Sequence, residues 1–512
     1  MLTIRHVLDS QARDRADAVY LVAPEAGRTL TFGQLRRQSV ALAQALSQRG
    51  LRKGDKVSLM LHNGYQTARL FIGVMYAGCV VSPINLLAQP SVLRHVLEHS
   101  DTRLVFTGAE HAPRLRQALA GIERRIDVIE VDVDAEWEEP AAPAAAASPR
   151  PPDCAALAEV DVAEDDDALL MYTSGTTGLP KGVVLSHRNV VSGGRFVSEA
   201  QQLGPDDRVL ASLPLYHING QIVTAVAPLV HGGGVVMPHR FSATAFWQLV
   251  AQHRCTWINV VPTIISYLLN GPDPRALGLD VAAVRFCRSA SAPLPPAQHR
   301  AFERRFGIGV IETFGMTETA APCFTNPLDP QRRKLGSPGC AFGNDAKVVD
   351  PATGATLPPG RIGELMIRGD NVMKGYYKDP AATAATLHPD GWMHTGDLGY
   401  MDADGFVYVT GRIKELIIKG GENIAPREID EALLEHPAVL EAASVGVPDE
   451  HYGQEIGAFV ILKPGAATTE RELIAHCRDR LGRFKTPRFV RFVDELPKGP
   501  SGKVQRLKLS AG

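Results

Sequence analysis

Apolar residues recur with two different spacings along the first part of the chain. A spacing near 3.6 residues predicts helices over Thr31 to Arg49 and Gln66 to Ala77, while short continuous apolar runs predict strands over Lys56 to Leu61 and Cys79 to Pro83. Strand and helix therefore alternate, which is typical of layered α/β folds that contain parallel sheet. We predict the α/β fold class, with layered mixed sheets and helices in a large N-terminal domain.

The same patterns continue in a smaller unit near the C-terminus. They predict two helices and two strands, over Pro426 to Glu435, Leu440 to Val447, Ile456 to Leu462 and Glu470 to Leu481. These elements suffice for a compact α+β domain of about a hundred residues. The predicted division gives a domain of residues 1–411 and a domain of residues 412–512, with a hinge near residues 412–414.

Length, charge and cysteine content narrow the class of protein. The 512 residues are too many for one core, and 54 Lys and Arg against 56 Asp and Glu leave no basic excess for nucleic acid. Seven cysteines without a CxxC pair indicate a reducing compartment. No stretch reaches membrane-spanning length without charged or turn residues. The sequence thus predicts a cytoplasmic protein with small-molecule partners, as a monomer or a homodimer.

The segment from Leu169 to His187 has the composition of a phosphate-binding loop. Glycines that allow a sharp turn lie between two short apolar runs, together with hydroxyls and one ammonium group that would converge on an anion. The predicted phosphate ligands are Thr173, Ser174, Gly175, Thr176, Thr177, Gly178 and Lys181. Gly182 follows the lysine where a Walker-type P-loop has Ser or Thr, which disfavours a kinase or ATPase of that type.

Four further segments complete an order that resembles the adenylate-forming superfamily, which contains acyl-CoA synthetases, aryl-CoA ligases and luciferases. They read ETFGMTE at 312–318, GWMHTGD at 391–397, GRIKELIIKGGENIAPRE at 411–428 and LPKGPSGKVQR at 496–506. With the loop at 169–187 they span most of the chain. The resemblance implies a large N-terminal AMP-binding domain and a small C-terminal domain that rotates between two half-reactions.

The resemblance assigns nucleotide and metal ligands to these segments. It implies that Thr317 contacts the α-phosphate, that Glu318 holds Mg²⁺ directly or through water, and that Asp397 binds the ribose with Arg412 close by. The two faces of the adenine would be covered by Ser291, Ala292 and Pro293 and by Glu312, Thr313, Phe314, Gly315 and Met316. Phe314 stands where the family more often has Tyr.

The resemblance also implies the machinery of two half-reactions. Lys503 would bridge carboxylate and phosphate oxygens during adenylation, Lys414 would be the hinge, and Gly420 and Gly421 would line a tunnel for CoA. ATP, Mg²⁺ and coenzyme A are therefore the expected ligands. The implied enzyme is an acid–thiol ligase in which the carboxylate attacks the α-phosphorus of ATP, pyrophosphate leaves, and the CoA thiol then displaces AMP.

The segment LPLYHINGQ at 213–221 resembles the part of the family that gates the carboxylate and thiol routes, which makes His217 a predicted catalytic residue. Asn219 and Gln221 follow it, and buried amides beside an alkyl chain would stay unpaired at a cost of about 1 to 3 kcal/mol each. Together with Ser289 these three residues form the predicted acyl pocket. The pattern favours a short polar or dianionic acid such as oxalate.

Two arginines precede the adenine segment, and the sequence does not decide between them. Strand alternation places Arg285 and Ser289 on one face and Arg288 on the other, so only one arginine should face the site. This run and the hinge sequence are similar to oxalyl-CoA synthetases, which typically carry a second histidine where this chain has Asn219.

Two alternatives stay open on the sequence. One is a ligase for medium-chain fatty acids or for aryl acids of the 4-coumarate type, which Asn219 and Gln221 disfavour without excluding it. A non-catalytic nucleotide-binding homologue would be expected to lack Lys503 or Glu318, and both residues are present.

Overall fold

The computed structural model describes residues 2–136, 157–173, 179–498 and 504–510. Six of the predicted site residues lie outside the described residues, namely Ser174, Gly175, Thr176, Thr177, Gly178 and Lys503.

Two large sheets form the framework of the N-terminal domain, and their strands are numbered in chain order. One sheet has nine strands in the order β15 (Cys340–Ala341), β14 (Ala321–Thr325), β13 (Val310–Met316), β12 (Phe286–Ser289), β11 (Trp257–Val260), β9 (Arg208–Ala211), β10 (Gly234–Val236), β1 (Val19–Ala23) and β2 (Arg28–Thr31). The other has seven strands in the order β18 (Gly375–Tyr376), β8 (Lys181–Ser186), β7 (Asp167–Thr173), β4 (Val80–Pro83), β3 (Lys56–Met60), β5 (Thr102–Thr107) and β6 (Asp127–Glu130). Both sheets are parallel at the centre. Antiparallel strands lie at both edges of the nine-stranded sheet and at the β8–β18 edge of the seven-stranded sheet, whose other edge strand, β6, is parallel.

Helices cover these sheets. The α-helices of the N-terminal domain are α1 (Ile4–Asp14), α2 (Phe32–Gln48), α3 (Tyr65–Tyr76), α4 (Pro90–His99), α5 (Ala112–Leu119), α6 (His187–Ala200), α7 (Ala227–His231), α8 (Phe246–Gln252), α9 (Pro262–Asn270), α10 (Pro296–Phe306) and α11 (Pro380–Thr386). A π-helix over Asn219–Val226 leads directly into α7. Short 3₁₀ turns lie at Thr317–Thr319, Pro330–Arg332, Ile413–Glu415 and Arg506–Lys508.

The main core joins the two large sheets. Val57 and Leu169 of the seven-stranded sheet belong to the same buried apolar cluster as Val209 and Trp257 of the nine-stranded sheet. Every residue of α3 is buried, as its nearly continuous apolar sequence requires. The carboxyl ends of the parallel strands are thereby held in a fixed relation, and these ends carry the residues of the candidate site.

Two smaller sheets complete the chain. A four-stranded antiparallel sheet consists of β16 (Asp345–Val349), β17 (Gly363–Arg368), β19 (Met393–Met401) and β20 (Val407–Arg412). The C-terminal sheet consists of β22 (Glu422–Ile424), β21 (Ile417–Lys419), β24 (Gly453–Leu462) and β23 (Val439–Asp449), with β25 (Phe489–Phe492) beside β24. Helices α12 (Pro426–Leu434) and α13 (Glu470–Leu481) pack on it around a separate apolar core.

The predicted α/β class with a large and a small domain is confirmed. The two N-terminal helices and two strands that the apolar spacing predicts are α2, α3, β3 and β4, and the four C-terminal elements are α12, β23, β24 and α13. Among the described residues, no helix is both long enough and apolar enough to cross a membrane.

Candidate active site

The ends of the predicted phosphate loop form a regular hairpin. Strands β7 and β8 pair antiparallel, with Thr173 opposite Lys181, and the Thr173 hydroxyl donates to the Lys181 carbonyl at 3.5 Å. The two short apolar runs beside the loop therefore belong to β7 and β8, which extend to the two outermost predicted ligands. This pairing fixes the distance between the two ends of the loop.

Lys181 belongs to a chain of polar contacts that reaches Glu318. Its Nζ lies 5.0 Å from the centroid of the Tyr376 ring and 3.9 Å from Asp379 Oδ2. The Tyr376 hydroxyl donates to Glu318 Oε1 at 3.0 Å, and burial raises the pKa of this tyrosine well above its usual value. Sequence reasoning missed Tyr376, because only the pairing of β18 with β8 brings this edge residue beside the loop.

The predicted ribose pair is brought together by the third sheet. Asp397 on β19 lies opposite Arg412 on β20, and Arg412 Nε donates to Asp397 Oδ1 at 2.9 Å. The Asp397 side chain is only 4% exposed, so its two oxygens have a fixed direction. The charge of Asp397 raises the pKa of Arg412 further, which keeps the guanidinium protonated.

The two adenine segments are tied to each other by Glu312. Its Oε1 accepts a hydrogen bond from the Leu294 amide at 3.2 Å, directly after Pro293. Phe314 packs with its ring centroid 5.6 Å from that of Phe324, and Ser291 has a left-handed backbone with φ of +73°. The hydrogen bond from Leu294 to Glu312 therefore holds the two predicted adenine segments next to each other.

Glu312 predicts a pH-dependent stability. Burial, partly offset by the charge of Arg427, raises its pKa from 4.5 to about 7. The folded state thus holds an extra proton between these values, and stability falls as the pH rises from 4.5 through 7, by about 3 kcal/mol in all. Glu312→Gln should remove this loss, so the difference in unfolding free energy between variant and wild type should grow from pH 5 to pH 8 in urea titrations. The exposed Glu123→Gln is the control, and an equal difference at both pH values would contradict the assignment.

The segment at 213–221, called the acyl segment below, leads into the π-helix Asn219–Val226. A π-helix is a rare element that often marks functional sites. Its first residue, Asn219, accepts a hydrogen bond from Arg288 and donates one to the Ser291 hydroxyl at 3.1 Å. Gly220 leaves no room for a side chain, because an added Cβ would lie 2.4 Å from the Pro214 carbonyl oxygen. His217 lies two residues before Asn219, and its ring centroid is 4.8 Å from that of Tyr216. The backbone turn at 213–217 is therefore fixed against the start of the π-helix.

The structure decides between the two arginines. Arg285 Nη1 contacts both carboxylate oxygens of Asp207, at 2.6 and 2.7 Å, at the far end of β12 from the adenine segment. Arg288 is 2% exposed, and its Nη1 donates to Asn219 Oδ1 at 3.0 Å and to Asn259 Oδ1 at 2.9 Å. Arg288 is therefore the arginine that faces the acyl segment, and Asn259 is a polar neighbour that sequence reasoning missed.

Arg288 is a buried cation without an acidic partner among the described residues. It forms no ion pair with any described carboxylate, and its Nε has no hydrogen-bond partner in that part of the chain. Burial lowers its pKa to about 9, so the side chain is still charged at neutral pH. A charged group in this setting attracts an anion strongly, because little solvent screens it.

The other predicted pocket residues have different surroundings. Asn219 is bonded at both ends of its amide, so it does not depend on the acid for partners. Gln221 is fully buried and its amide nitrogen donates to the Leu215 carbonyl at 2.6 Å, but its Oε1 has no partner among the described residues. Ser289, next to Arg288 on β12, lies on the opposite face of the strand, and its hydroxyl has no partner among the described residues. Arg288 therefore supplies the positive charge beside the acyl segment.

The segments near the domain boundary are also placed. Lys414 is exposed in the 3₁₀ turn that follows Arg412. Gly420 and Gly421 form the two-residue turn of the β21–β22 hairpin, with φ of +58° and +85°. A hairpin turn of this kind requires left-handed backbone at both positions. The turn by itself therefore explains why glycine occurs there, and the place of both residues in the CoA tunnel stays a prediction.

The donor set at Glu318 fits a magnesium ion that is shared with phosphates. Among the described residues, no group of three or more His, Cys, Asp or Glu side chains could hold a metal ion. Mg²⁺ keeps several waters and is commonly held by one or two carboxylates together with substrate phosphate oxygens. The single carboxylate of Glu318, close to Lys181 through Tyr376, agrees with that mode of binding.

The two-domain fold and the meeting of these segments at the strand ends define the class as adenylate-forming enzymes. The chain belongs to the family of AMP-binding enzymes: the AMP-binding enzyme model matches residues 8–377, and the model of the AMP-binding enzyme C-terminal domain matches residues 428–503. It is an ATP-dependent, AMP-forming acid–CoA ligase that uses ATP, Mg²⁺ and CoA.

Similar proteins cover nearly the whole chain. A sulfoacetate–CoA ligase of Cupriavidus necator is 57% identical over 511 residues, which are 99% of this chain and 97% of the relative. An oxalate–CoA ligase of Arabidopsis thaliana is 35% identical and covers 91% of this chain and 90% of the relative. The crystal structure of ATP-bound MatB from Rhodopseudomonas palustris has a TM-score of 0.88 at 30% identity, over 99% of this chain and 98% of that chain.

Proposed function

We propose that the acid substrate is a short dianion with a carboxylate at one end and a second permanently charged acid group at the other, and that sulfoacetate is this acid. The single observation that carries the proposal is the buried guanidinium of Arg288, which has neutral amides but no acidic partner around it in the described residues. An anionic group of the substrate would supply the missing counter-charge.

The position of Arg288 favours a short acid. Arg288 and Ser291, the first residue of an adenine segment, contact opposite ends of the same Asn219 side chain. The reacting carboxylate must reach the nucleotide while the distal group reaches Arg288, so few atoms separate the two. An alkyl or aryl acid would leave the buried cation without an anion, which disfavours the medium-chain and 4-coumarate alternatives.

The similar proteins support the same substrate class. The relative that is 57% identical is a ligase for sulfoacetate, and relatives that are 35% and 40% identical are ligases for oxalate. Each of these acids carries two negative charges on a two-carbon frame. A sulfonate also offers three acceptor oxygens, which suits a guanidinium that is flanked by amides.

The roles of the other residues follow the order of the two half-reactions. We infer that Thr173, Lys181 and the intervening loop neutralise the departing pyrophosphate, that Thr317 contacts the α-phosphate, that Glu318 would hold Mg²⁺, and that Asp397 holds the ribose. Mg²⁺ supplies charge neutralisation on the phosphate oxygens. The C-terminal domain would then turn at residues 412–414, which removes Lys503 and brings the Gly420–Gly421 turn to the site for CoA.

The experiment that tests the proposal is acid-dependent ATP–pyrophosphate exchange without CoA, with sulfoacetate, oxalate, carnitine, hexanoate and 4-coumarate. We expect exchange with sulfoacetate to exceed that with hexanoate or 4-coumarate by at least about 100-fold, since hydrogen bonds and pairing at a buried charge contribute roughly 3 kcal/mol or more. If exchange is strongest with oxalate, the proposed class of dianionic substrate is retained, but sulfoacetate is rejected as the substrate. Exchange that is confined to hexanoate or 4-coumarate would refute the role of Arg288.

A further inference from the structure

A buried cluster of one arginine and two acids lies inside the C-terminal domain, away from the nucleotide segments. Arg506 Nη2 donates to Asp430 Oδ2 at 2.5 Å, and Arg506 Nη1 donates to the Ser444 carbonyl at 3.0 Å. Arg506 Nε lies 3.5 Å from Glu415 Oε2. The side chains of Arg506, Asp430 and Glu415 are 19%, 8% and 14% exposed, so solvent screens their charges little.

One side of the cluster belongs to the rigid body of the C-terminal domain. Asp430 lies on α12, and its Oδ1 accepts a hydrogen bond from the Ser444 amide on β23 at 2.6 Å. The carboxylate is therefore fixed by a helix and a strand at the same time. Arg506 is bound to this frame by two hydrogen bonds in different directions, which fixes the plane of its guanidinium.

A second side of the cluster is the base of the loop that contains Lys503. Lys498 and Val504 form an antiparallel bridge, and the Gln505 amide donates to the Pro497 carbonyl at 2.7 Å. Arg506 follows directly and begins a 3₁₀ turn. The stem of the loop is thereby locked onto the domain through Arg506, three residues from Lys503.

The third side is the predicted hinge. Glu415 ends the 3₁₀ turn Ile413–Glu415, which begins directly after Arg412, the partner of Asp397. Any rotation at residues 412–414 changes the direction of this turn relative to the N-terminal domain. Glu415 thus connects the hinge turn to the Arg506 guanidinium, which holds the base of the loop that contains Lys503.

We propose that Arg506, held between Asp430 and Glu415, is a positioning residue that couples the hinge turn to the loop carrying Lys503. The coupling sets the direction in which Lys503 enters the site when the domain is in the adenylation orientation. The proposal rests on the adenylation role of Lys503 proposed above. It assigns Arg506 and Glu415 no contact with the substrates.

Glu415→Gln is the variant that separates positioning from folding. It removes one charge and keeps the side-chain size, while Arg506 retains its hydrogen bonds to Asp430 and Ser444. Arg506→Met is less informative, because it leaves Asp430 buried without its counter-charge and is expected to unfold part of the domain. The matched control is Glu435→Gln, which removes the partner of Arg480 from an exposed pair in the same domain.

The test measures each half-reaction with the full-length protein. We expect Glu415→Gln to lower sulfoacetate-dependent ATP–pyrophosphate exchange about 10-fold, a change typical of coupling between contacting groups, and to leave thioester formation from supplied sulfoacetyl-adenylate and CoA within about twofold. Glu435→Gln should change neither rate. In a Lys503→Ala background, Glu415→Gln should change the residual exchange less than about twofold, because both substitutions act through the same lysine.

Two outcomes would overturn the coupling. Equal losses in both half-reactions would indicate a general structural effect, and a 10-fold loss in the Lys503→Ala background would show that Glu415 acts independently of the lysine. If Lys503→Ala alone retained full exchange, the proposed adenylation role of Lys503 would fail first, and that single variant distinguishes this failure from a failure of the coupling.

Discussion

Arg288→Met is expected to lower kcat/KM for sulfoacetate by roughly 30- to 4,000-fold, with a much smaller effect on an uncharged or monoanionic acid. Truncating one partner of a buried charge pair typically costs about 2 to 5 kcal/mol, which corresponds to that range. Methionine has a similar length and leaves Asn219 and Asn259 with each other as partners. The measurement is steady-state kcat/KM for sulfoacetate and hexanoate in the coupled assay for AMP release.

The matched control for this variant is Arg285→Met, three residues earlier in the chain and directly before β12. Arg285 pairs with Asp207, so the substitution of Arg285 should reduce the free energy of unfolding. Thr256 also donates to that carboxylate, which keeps one partner for Asp207 in the variant. We expect kcat/KM for sulfoacetate to stay within about threefold of wild type in this control. A similar fractional loss for sulfoacetate and hexanoate in Arg288→Met would mean that Arg288 only supports the fold.

Lys503→Ala should abolish most of the first half-reaction and spare the second. Loss of one preorganised donor at a developing negative charge typically lowers the rate by roughly 100- to 1,000-fold. We expect a loss of this size in sulfoacetate-dependent ATP–pyrophosphate exchange, whereas thioester formation from supplied sulfoacetyl-adenylate and CoA should retain most of its rate. The exposed Lys508 in the following 3₁₀ turn provides the control, because Lys508→Ala removes a nearby positive charge without touching the loop. Equal losses in both half-reactions would contradict a role that is confined to adenylation.

The expected rate losses in Arg288→Met and Lys503→Ala have different physical causes. The Arg288 effect depends on the charge of the substrate and so should vary from acid to acid. The Lys503 effect depends on the chemistry at the α-phosphate and so should be the same for every acid that is adenylated. Comparing both variants with sulfoacetate, a dianion, and with hexanoate, a monoanion, separates recognition of the acid from catalysis.

The secondary structure near the site follows from local sequence. The helical spacing of α2 and α13 and the apolar runs of β3 and β4 determine these elements, because burial of one face or of a whole strand dominates their energetics. The π-helix at Asn219–Val226 was not predicted. Its apolar pattern does not differ from that of an α-helix, and contact of Gly220 with the 213–214 backbone is a tertiary feature.

The acyl pocket shows where sequence reasoning is insufficient. Alternation along β12 showed that Arg285 and Arg288 point to opposite faces, but it could not show which face meets the site. Asp207 binds one arginine and Asn259 the other, and neither residue is near in sequence. The proposal of a polar acid therefore rests on Arg288 and not on the Asn219 amide, whose two ends are both bonded within the protein.

The sequence by itself determined the class of enzyme, since the order and spacing of the phosphate loop and of the four later segments carry the family, its two domains and its use of ATP and CoA. Only the tertiary structure decided which polar groups meet. Pairing of β18 with β8 brings Tyr376 to Glu318, and the packing of the C-terminal domain surrounds Arg506 with Asp430 and Glu415. The physical reason is that a local pattern records which residues are buried, whereas the counter-charge of a buried group comes from whichever distant strand or helix the fold places against it.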